Sequence, residues 1–133
     1  MRSTARETVF KYLYSQLFNP SDGELFARLV KENGFNEGDY AFAKELLAFV
    51  NEGKEEYLEY IQKYSFGFKL NRVFSTDKCS LLIGMAELKN YPNTDVPIII
   101  DEAVKLSAKF STEKSTDFVN GILARYAKEI NRG

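Results

Sequence analysis

Apolar side chains recur every three or four residues along most of the chain, a spacing that predicts helices. Between Thr4 and Leu17 the repeat is every four residues, which predicts one buried stripe along a first helix. The stripe consists of Ala5, Val9, Leu13 and Leu17. Asn19 and Pro20 should end this helix, because proline cannot continue a helix and disfavours the helical conformation in the residue before it.

Polar residues and glycines mark the ends of the next three predicted helices. Residues 21–24, Ser-Asp-Gly-Glu, fit a capping box at the start of the second helix, which should stop at Gly34. Asn36 can cap a third helix, and Gly53 should divide it from a fourth helix that ends near Gly67. The apolar faces of these helices are Leu25, Phe26, Leu29 and Val30, then Ala43, Leu46, Leu47 and Val50, then Tyr57, Leu58, Ile61 and Tyr64.

The second half of the chain should be built around one buried helix. Residues 68–74 form the predicted connector, and Ser75 begins a fifth helix with Asp77 in its first turn, where a carboxylate interacts favourably with the helix dipole. This helix is apolar on two sides, a pattern typical of a helix in the middle of a fold. Its apolar residues are Cys79, Leu82, Ile83 and Ala86 on one side and Leu81, Met85 and Leu88 on the other.

Two further helices follow this central one. After a loop that Pro92 and Pro97 frame, a sixth helix should begin near Ile99, and a seventh should span residues 115–130. Residues 120–121, Asn-Gly, are a dipeptide typical of hairpin turns. The helical repeat continues on both sides of this dipeptide, so we predict an uninterrupted helix.

The fold class follows from this pattern and from the length of the chain. With 133 residues the chain suits one compact domain that buries roughly two-thirds of its unfolded surface and needs no metal or disulfide. We predict an all-α fold of about seven helices in two packed helical subdomains, residues 1–67 and 68–133.

The composition excludes several kinds of chemistry. The chain has no histidine and a single cysteine, Cys79, which rules out Cys/His zinc sites, an internal disulfide, and Ser-His-Asp or Cys-His catalysis within this chain. Acidic pairs such as Glu55-Glu56 and Asp101-Glu102 can serve acid–base catalysis, but no convergent polar groups accompany them. We therefore expect a binding protein that is not an enzyme and has no cofactor.

The charge and hydropathy patterns bear on partners and location. A net charge of −1 and a pI of about 5.6 argue against a strongly basic, nonspecific nucleic-acid binder but allow a local basic patch. No apolar run approaches the roughly 20 residues that span a bilayer. Lys11 and Gln16 interrupt the N-terminal run, unlike a signal peptide. We expect a cytoplasmic protein with no membrane partner.

Several short motifs lie along the chain, with Ala-Arg-Glu and Leu-Tyr near the start and Asp-Val-Pro and Phe-Val-Asn-Gly-Ile-Leu near the end. These segments resemble the motifs A-R-E, L-Y, D-(I/V)-P and F-V-N-G-(V/I)-L of the NusB family. They occur in the family's order and together span nearly the whole chain. The matching segments are residues 5–7 and 13–14, residues 71–78 leading to 81–88, and residues 95–97, 101–106 and 118–123.

This resemblance implies a function in transcription antitermination. It implies that the chain binds the boxA element of nascent RNA together with NusE, a ribosomal protein of the small subunit. The pair would then support processive transcription of ribosomal RNA genes by the elongation complex. Family members often carry several consecutive arginines near the start, whereas only Arg2 and Arg6 stand here, so we expect weak intrinsic affinity for RNA. The stretch between Pro97 and Glu102 is also shorter than expected, which should change a loop and leave the helices intact.

The resemblance assigns RNA binding to two groups of residues. Arg2 and Arg6 are four positions apart and share one face if the first helix begins early, and planar guanidinium groups suit phosphates. Lys11 extends this basic track. The alternative interpretation is a frayed, solvated terminus with an ordinary surface lysine.

The second group lies around the start of the last helix. Lys109 and Lys114 flank the loop before that helix, and Lys114 adds a positive charge beside the predicted RNA site. Phe118 and Asn120 follow at helical spacing. An aromatic residue at this spacing is also typical of a core position, so Phe118 has both interpretations.

Contacts with NusE are assigned by the resemblance to Tyr14 and Glu87. Tyr14 lies off the main stripe of the first helix and is otherwise an aromatic residue at the edge of the core. Glu87 lies in a largely apolar helix, where a carboxylate must be exposed, paired or at an interface.

Two alternative functions stay open at the level of sequence. One is an RNA-targeting domain of the kind fused to ribosomal RNA cytosine methyltransferases, which would require a truncated chain. The other is a structural homodimer that hides its arginine site and does not bind RNA.

Overall fold

The computed structural model describes residues 2–17, 24–32, 34, 36–65 and 73–132. Within these ranges the chain forms six helices and no strand, which confirms the predicted all-α class. The helices are α1 (Arg2–Gln16), α2 (Leu25–Glu32), α3 (Glu37–Tyr64), α4 (Ser75–Asn90), α5 (Val96–Phe110) and α6 (Glu113–Glu129). None of them is long and apolar enough to cross a membrane.

Parts of the prediction fall on residues that are not described. Three parts of the prediction lie outside the described ranges. They are residues 21–23 of the capping box proposed at 21–24, the helix end at residues 19–20 and most of the connector at residues 68–74. The division into subdomains at residue 67 lies in the same connector and stays a prediction.

The third and fourth predicted helices are one helix, α3, so the predicted stop at Gly53 is wrong. Gly53 is buried inside α3, and the ring of Tyr57 covers it. A Cβ atom at position 53 would lie only 2.3 Å from Cζ of Tyr57. The glycine is therefore required for close packing within the helix, whereas the sequence pattern indicated a helix end.

Helix α4 lies at the centre of the fold, as its two apolar sides predicted. Every residue from Cys79 to Leu88 is buried, and the helix packs against α1, α3, α5 and α6. Gly84 allows α6 to come close, because a Cβ atom at this position would lie 2.6 Å from Cδ1 of Leu123. Asp77 is also buried and accepts a hydrogen bond from Oγ of Ser107, 3.0 Å away.

Several predicted helix ends are confirmed. Asn36 caps α3 through a hydrogen bond from the backbone N–H of Asp39 to its side chain. Gly34, after α2, has the positive φ of +61° that a glycine adopts readily. The uninterrupted helix predicted through residues 120–121 is confirmed, because Asn120 and Gly121 lie within α6.

Two predicted boundaries shift by a few residues. Leu17 does not complete the buried stripe, because α1 ends at Gln16 and Leu17 is 47% exposed. Helix α5 begins at Val96, not near Ile99, and Pro97 lies in its first turn, where the missing N–H of proline costs no helical hydrogen bond.

The C-terminal residues hold the loop between α4 and α5. The guanidinium of Arg132 donates hydrogen bonds to three backbone carbonyls, at 2.8 Å to Leu88, 3.3 Å to Pro92 and 2.6 Å to Thr94. The chain reaches this position by a turn at Asn131, whose φ is 65°.

Candidate functional site

Arg6 and Glu87, which the resemblance assigned to RNA and NusE respectively, form one buried ion pair. Nε and Nη2 of Arg6 donate to the two carboxylate oxygens of Glu87 at 2.8 and 2.7 Å. Arg6 is 5% exposed and Glu87 is 2% exposed. Of the three environments considered for Glu87, the structure therefore selects pairing.

A second carboxylate adds to the field around this guanidinium. Nη1 of Arg6 lies 3.6 Å from Oε2 of Glu102, which is partly exposed. Burial alone lowers the pKa of Arg6, but the hydrogen bond and charge of Glu87, with the charge of Glu102, outweigh burial and raise it. The guanidinium is therefore permanently charged and already neutralised within the chain.

Arg2 and Arg6 share one face of α1, as their spacing predicted. Both guanidinium groups lie over the ring of Phe42, with Cζ at 4.6 Å from the ring centroid for Arg2 and 5.3 Å for Arg6. Arg2 is exposed, so the cation–π contact orients its guanidinium without removing it from solvent. Lys11 is exposed as well, and the described residues offer it no ion pair.

An aromatic stack joins α1 to the end of α5. The ring of Phe10 stacks on Phe110 with a centroid distance of 4.6 Å. The ring of Tyr14 also stacks on Phe10, with a centroid distance of 6.4 Å. Lys109 pairs with Glu7 at 2.6 Å. Tyr14 is 37% exposed, so the stack presents an aromatic face at the surface near the α5–α6 loop.

Lys114 and Phe118 line an open cavity at the start of α6. Its volume is about 710 Å³, and its walls are mainly apolar. The described lining is Val73, Phe74, Asp77, Thr112, Glu113, Lys114, Ser115 and Phe118. Phe74 is 60% exposed and Lys114 has no ion pair among the described residues, so this cavity combines accessible aromatic rings with an unpaired cation.

The start of α6 is held firmly by side-chain hydrogen bonds. Thr112 caps the helix by accepting a hydrogen bond from the N–H of Ser115 at 3.3 Å. The hydroxyl groups of Ser111 and Ser115 lie 3.0 Å apart. One turn further along, Asn120 and Gly121 are exposed, and a Cβ atom at Gly121 would meet nothing within 4 Å.

The predicted RNA-binding residues thus form two groups. Arg2 and Arg6 lie against α3, whereas Lys114 and Phe118 line the cavity beside the start of α4. Of the two residues assigned to NusE, Tyr14 is at the surface and Glu87 is inside.

Sequence reasoning missed several residues that complete these groups. Phe42 supports both arginines, and Phe74 with Asp77 forms a wall of the cavity. Phe42 carried a signal, because it lies beside Ala43 on the apolar face of α3. Phe74 carried none, because its place in the cavity depends on how α4 and α6 come together.

These features define a class of protein. An all-helical domain with exposed cations beside accessible aromatic rings has the features of a small helical binding domain. A model described as the NusB family matches residues 3–128. The chain belongs to the NusB family of transcription antitermination proteins.

Individual relatives match along nearly the full length. The transcription antitermination protein NusB of Carboxydothermus hydrogenoformans is 35% identical over 98% of this chain and 94% of the relative. A chain in a crystal structure of a plectonemic RNA supercoil matches with a TM-score of 0.89 and 30% identity, over 98% of this chain and 96% of that one. A chain in the crystal structure of the antitermination factors NusB and NusE in complex with double-stranded RNA matches with a TM-score of 0.86 and 30% identity, over 96% of both.

Proposed function

We propose that this protein binds boxA-type RNA together with NusE, and that the complex acts on the transcription elongation complex to promote processive transcription of ribosomal RNA genes. A cytoplasmic location belongs to the same proposal. The observation that carries it is the similarity, at a TM-score of 0.86 and 30% identity, to a NusB solved with NusE and double-stranded RNA.

The accessible cations and rings support RNA as the ligand. Arg2, Lys11 and Lys114 are exposed and can each contact one phosphate, and Phe118 offers a partly buried ring beside Lys114. Asn120 adds an exposed amide on the same helix. A direct contact between Arg6 and RNA stays a prediction, and it would require the guanidinium to leave Glu87.

The surface assigned to NusE is supported more simply by Tyr14 than by Glu87. Tyr14 is exposed on α1 and stacks on Phe10, which holds its ring in place. A contact between Glu87 and NusE stays a prediction, and it would require opening the ion pair with Arg6.

The first test is a titration of boxA-like RNA with and without NusE. We expect weak binding by the protein alone and stronger binding with NusE, because only Arg2 and Arg6 stand near the start of a chain of net charge −1 and Arg6 is buried. RNA binding that is equally tight with and without NusE would contradict the proposal. The homodimer alternative would be favoured if the molar mass in solution doubled as the protein concentration rose and did not change when RNA was added.

The second test locates the RNA surface by its salt dependence. Three phosphate contacts on single-stranded RNA give a slope of log K against log salt of roughly −2, about 0.7 for each contact. Lys114→Ala should flatten the slope by about 0.7. The matched control is Lys44→Ala, which removes an exposed lysine of α3 and should leave the slope unchanged. Equal slopes for the two variants would remove Lys114 from the RNA site.

A further inference from the structure

A second cavity, separate from the one beside Phe118, lies between α1, α3 and α4. Its volume is about 390 Å³. The described lining is Tyr12, Leu13, Gln16, Leu17, Asn51, Lys54, Leu58, Lys78, Cys79 and Leu82. None of the residues assigned to RNA or NusE is among them.

The charged groups of this cavity are cations, and Tyr12, Gln16 and Asn51 add neutral polar groups. Lys54 of α3 and Lys78 of α4 have no ion pair among the described residues, and no carboxylate appears in the described lining. The side-chain nitrogen of Gln16 is buried and has no hydrogen-bond acceptor in the part of the chain that the structure describes. Buried donors nearly always have a partner, so an unpaired one beside a cavity is available to an acceptor that enters the cavity.

The two lysines converge on one region. Burial raises the pKa of the Cys79 thiol, and the charges of Lys54 and Lys78 both act against that shift. Both residues also line the cavity beside this thiol, Lys54 from α3 and Lys78 from α4. A single anionic group near this point would interact with both.

Leucines supply most of the remaining lining, beside Tyr12 and Asn51. Leu13, Leu58 and Leu82 come from three different helices and give the cavity an apolar part. Ligand cavities usually range from roughly 300 to 1,000 Å³, so this one suits a compact ligand. An RNA strand fits this geometry poorly, because its phosphates repeat along a line and need cations spaced along a groove.

We propose that this cavity binds a small organic anion. Its acidic group pairs with Lys54 and Lys78 and accepts a hydrogen bond from Gln16, and its apolar body fills the space between Leu13, Leu58 and Leu82. This site is independent of the proposed RNA and NusE surfaces, so its failure would leave that function untouched.

The test uses two aromatic ligands that differ by one charged group. The first, 1-anilinonaphthalene-8-sulfonate, carries a sulfonate, and the second, N-phenyl-1-naphthylamine, has the same rings without it. We expect the full chain to bind the sulfonate saturably at one site by fluorescence titration. In a nitrogen-15 spectrum, the backbone amide signals of Gln16, Lys54 and Cys79 should shift on binding.

Variants then separate charge from general hydrophobic binding. Lys54→Met and Lys78→Met keep an unbranched apolar stem and should each weaken sulfonate binding by roughly fivefold to tenfold, with little effect on the uncharged ligand. Lys44→Met is the matched control on an exposed face of α3 and should have no effect. Melting temperatures of all three should stay close to that of the parent chain.

Three outcomes would overturn the proposal. They are the absence of saturable sulfonate binding, equal affinities for the Lys54, Lys78 and Lys44 variants, and full displacement of the sulfonate by boxA-like RNA. The last would make the cavity part of the RNA surface.

Discussion

Arg6 and Glu87 lie 81 positions apart in the chain and share two hydrogen bonds in its interior. A buried ion pair of this kind contributes little net stability compared with apolar packing, because both charges lose their hydration. Removing one partner is costly, since the other charge is left buried without compensation. Each residue therefore constrains the identity of the other.

The first prediction concerns Glu87→Lys. This change places a second positive charge against Arg6, and we expect a loss of at least about 3–5 kcal/mol in the free energy of unfolding. Urea denaturation measures it. Glu87→Gln should cost less, because the amide oxygen still accepts a hydrogen bond from Arg6.

Glu102→Gln is the control for this position. Glu102 is partly exposed and lies 3.6 Å from Arg6, so its loss should change stability by less than about 1 kcal/mol. A Glu87→Lys variant as stable as the parent chain would mean that the pair is open in solution.

The second prediction compares two glycines inside helices. Gly121→Ala should stabilise the protein by about 0.5–1 kcal/mol, because the new Cβ atom meets no neighbour and alanine favours the helix. Gly84→Ala should destabilise it by about 1–3 kcal/mol, because its Cβ atom would press on Leu123. Urea denaturation of both variants checks the pair. Equal changes in stability for the two variants would mean that helix propensity alone determines the effect of these substitutions.

At the scale of elements, α3 is the helix whose length the sequence pattern misjudged. A glycine followed by lysine and acidic residues is typical of a helix end and start, and Gly53 stands in that context. In the structure α3 is 28 residues long and continues through Gly53, because the ring of Tyr57 packs over the glycine and is only 1% exposed. Local propensity is therefore outweighed by the burial of one large ring.

The third prediction follows from this packing. Gly53→Ala improves helix propensity by about 1 kcal/mol but drives a Cβ atom into the ring of Tyr57, so we expect a net loss of about 1–3 kcal/mol. Gly38→Ala is the matched control in the first turn of α3, where the new Cβ atom makes an ordinary contact of 3.4 Å. Thermal unfolding that ranks the two variants equally would contradict this account.

At the scale of the whole molecule, the burial of a thiol and of phenols makes the free energy of unfolding depend on pH in the alkaline range. Burial raises the pKa of the Cys79 thiol to about 12, and Lys54 and Lys78 only partly oppose it. Burial also raises the pKa of the phenols of Tyr91 and Tyr126, with a contribution at Tyr91 from its hydrogen bond to Glu45. All three groups hold their protons more tightly in the folded chain.

The fourth prediction gives the sign of this dependence. The unfolded thiol loses its proton near pH 8.5, while the folded thiol keeps it to about pH 12. The contribution of Cys79 to stability is therefore complete below about pH 8.5 and is lost progressively above it, and the tyrosines add to the loss above about pH 10. Urea midpoints between pH 7 and 10.5 should show the fall.

Cys79→Ala is the control for this dependence. It should flatten the fall between about pH 8.5 and 10 and leave the later fall in place. If the Cys79→Ala variant had the same dependence of stability on pH as the parent chain, Cys79 would not be a source of that dependence.

The candidate site could be predicted from the sequence only in part. Arg2, Lys11, Lys114 and Asn120 were expected at the surface and are exposed, because polar side chains on an amphipathic helix face solvent. Their distribution over two groups was not predictable, because it depends on which helices pack side by side.

The sequence by itself determined the helical class, the central position of α4 and the caps at Asn36 and Gly34. Each of these follows from local backbone chemistry or from the period of apolar residues, and such signals act within a few turns of one helix. The family motifs are likewise a property of the sequence.

Only the tertiary structure decided the pairing of Arg6 with Glu87, the continuity of α3 through Gly53 and the cavities beside Phe118 and Cys79. In each case the energy comes from groups on different helices or from a ring that closes over its own backbone. Desolvation, close contact and convergence of charge depend on the distances at which these groups meet, and a linear pattern of residues does not contain those distances.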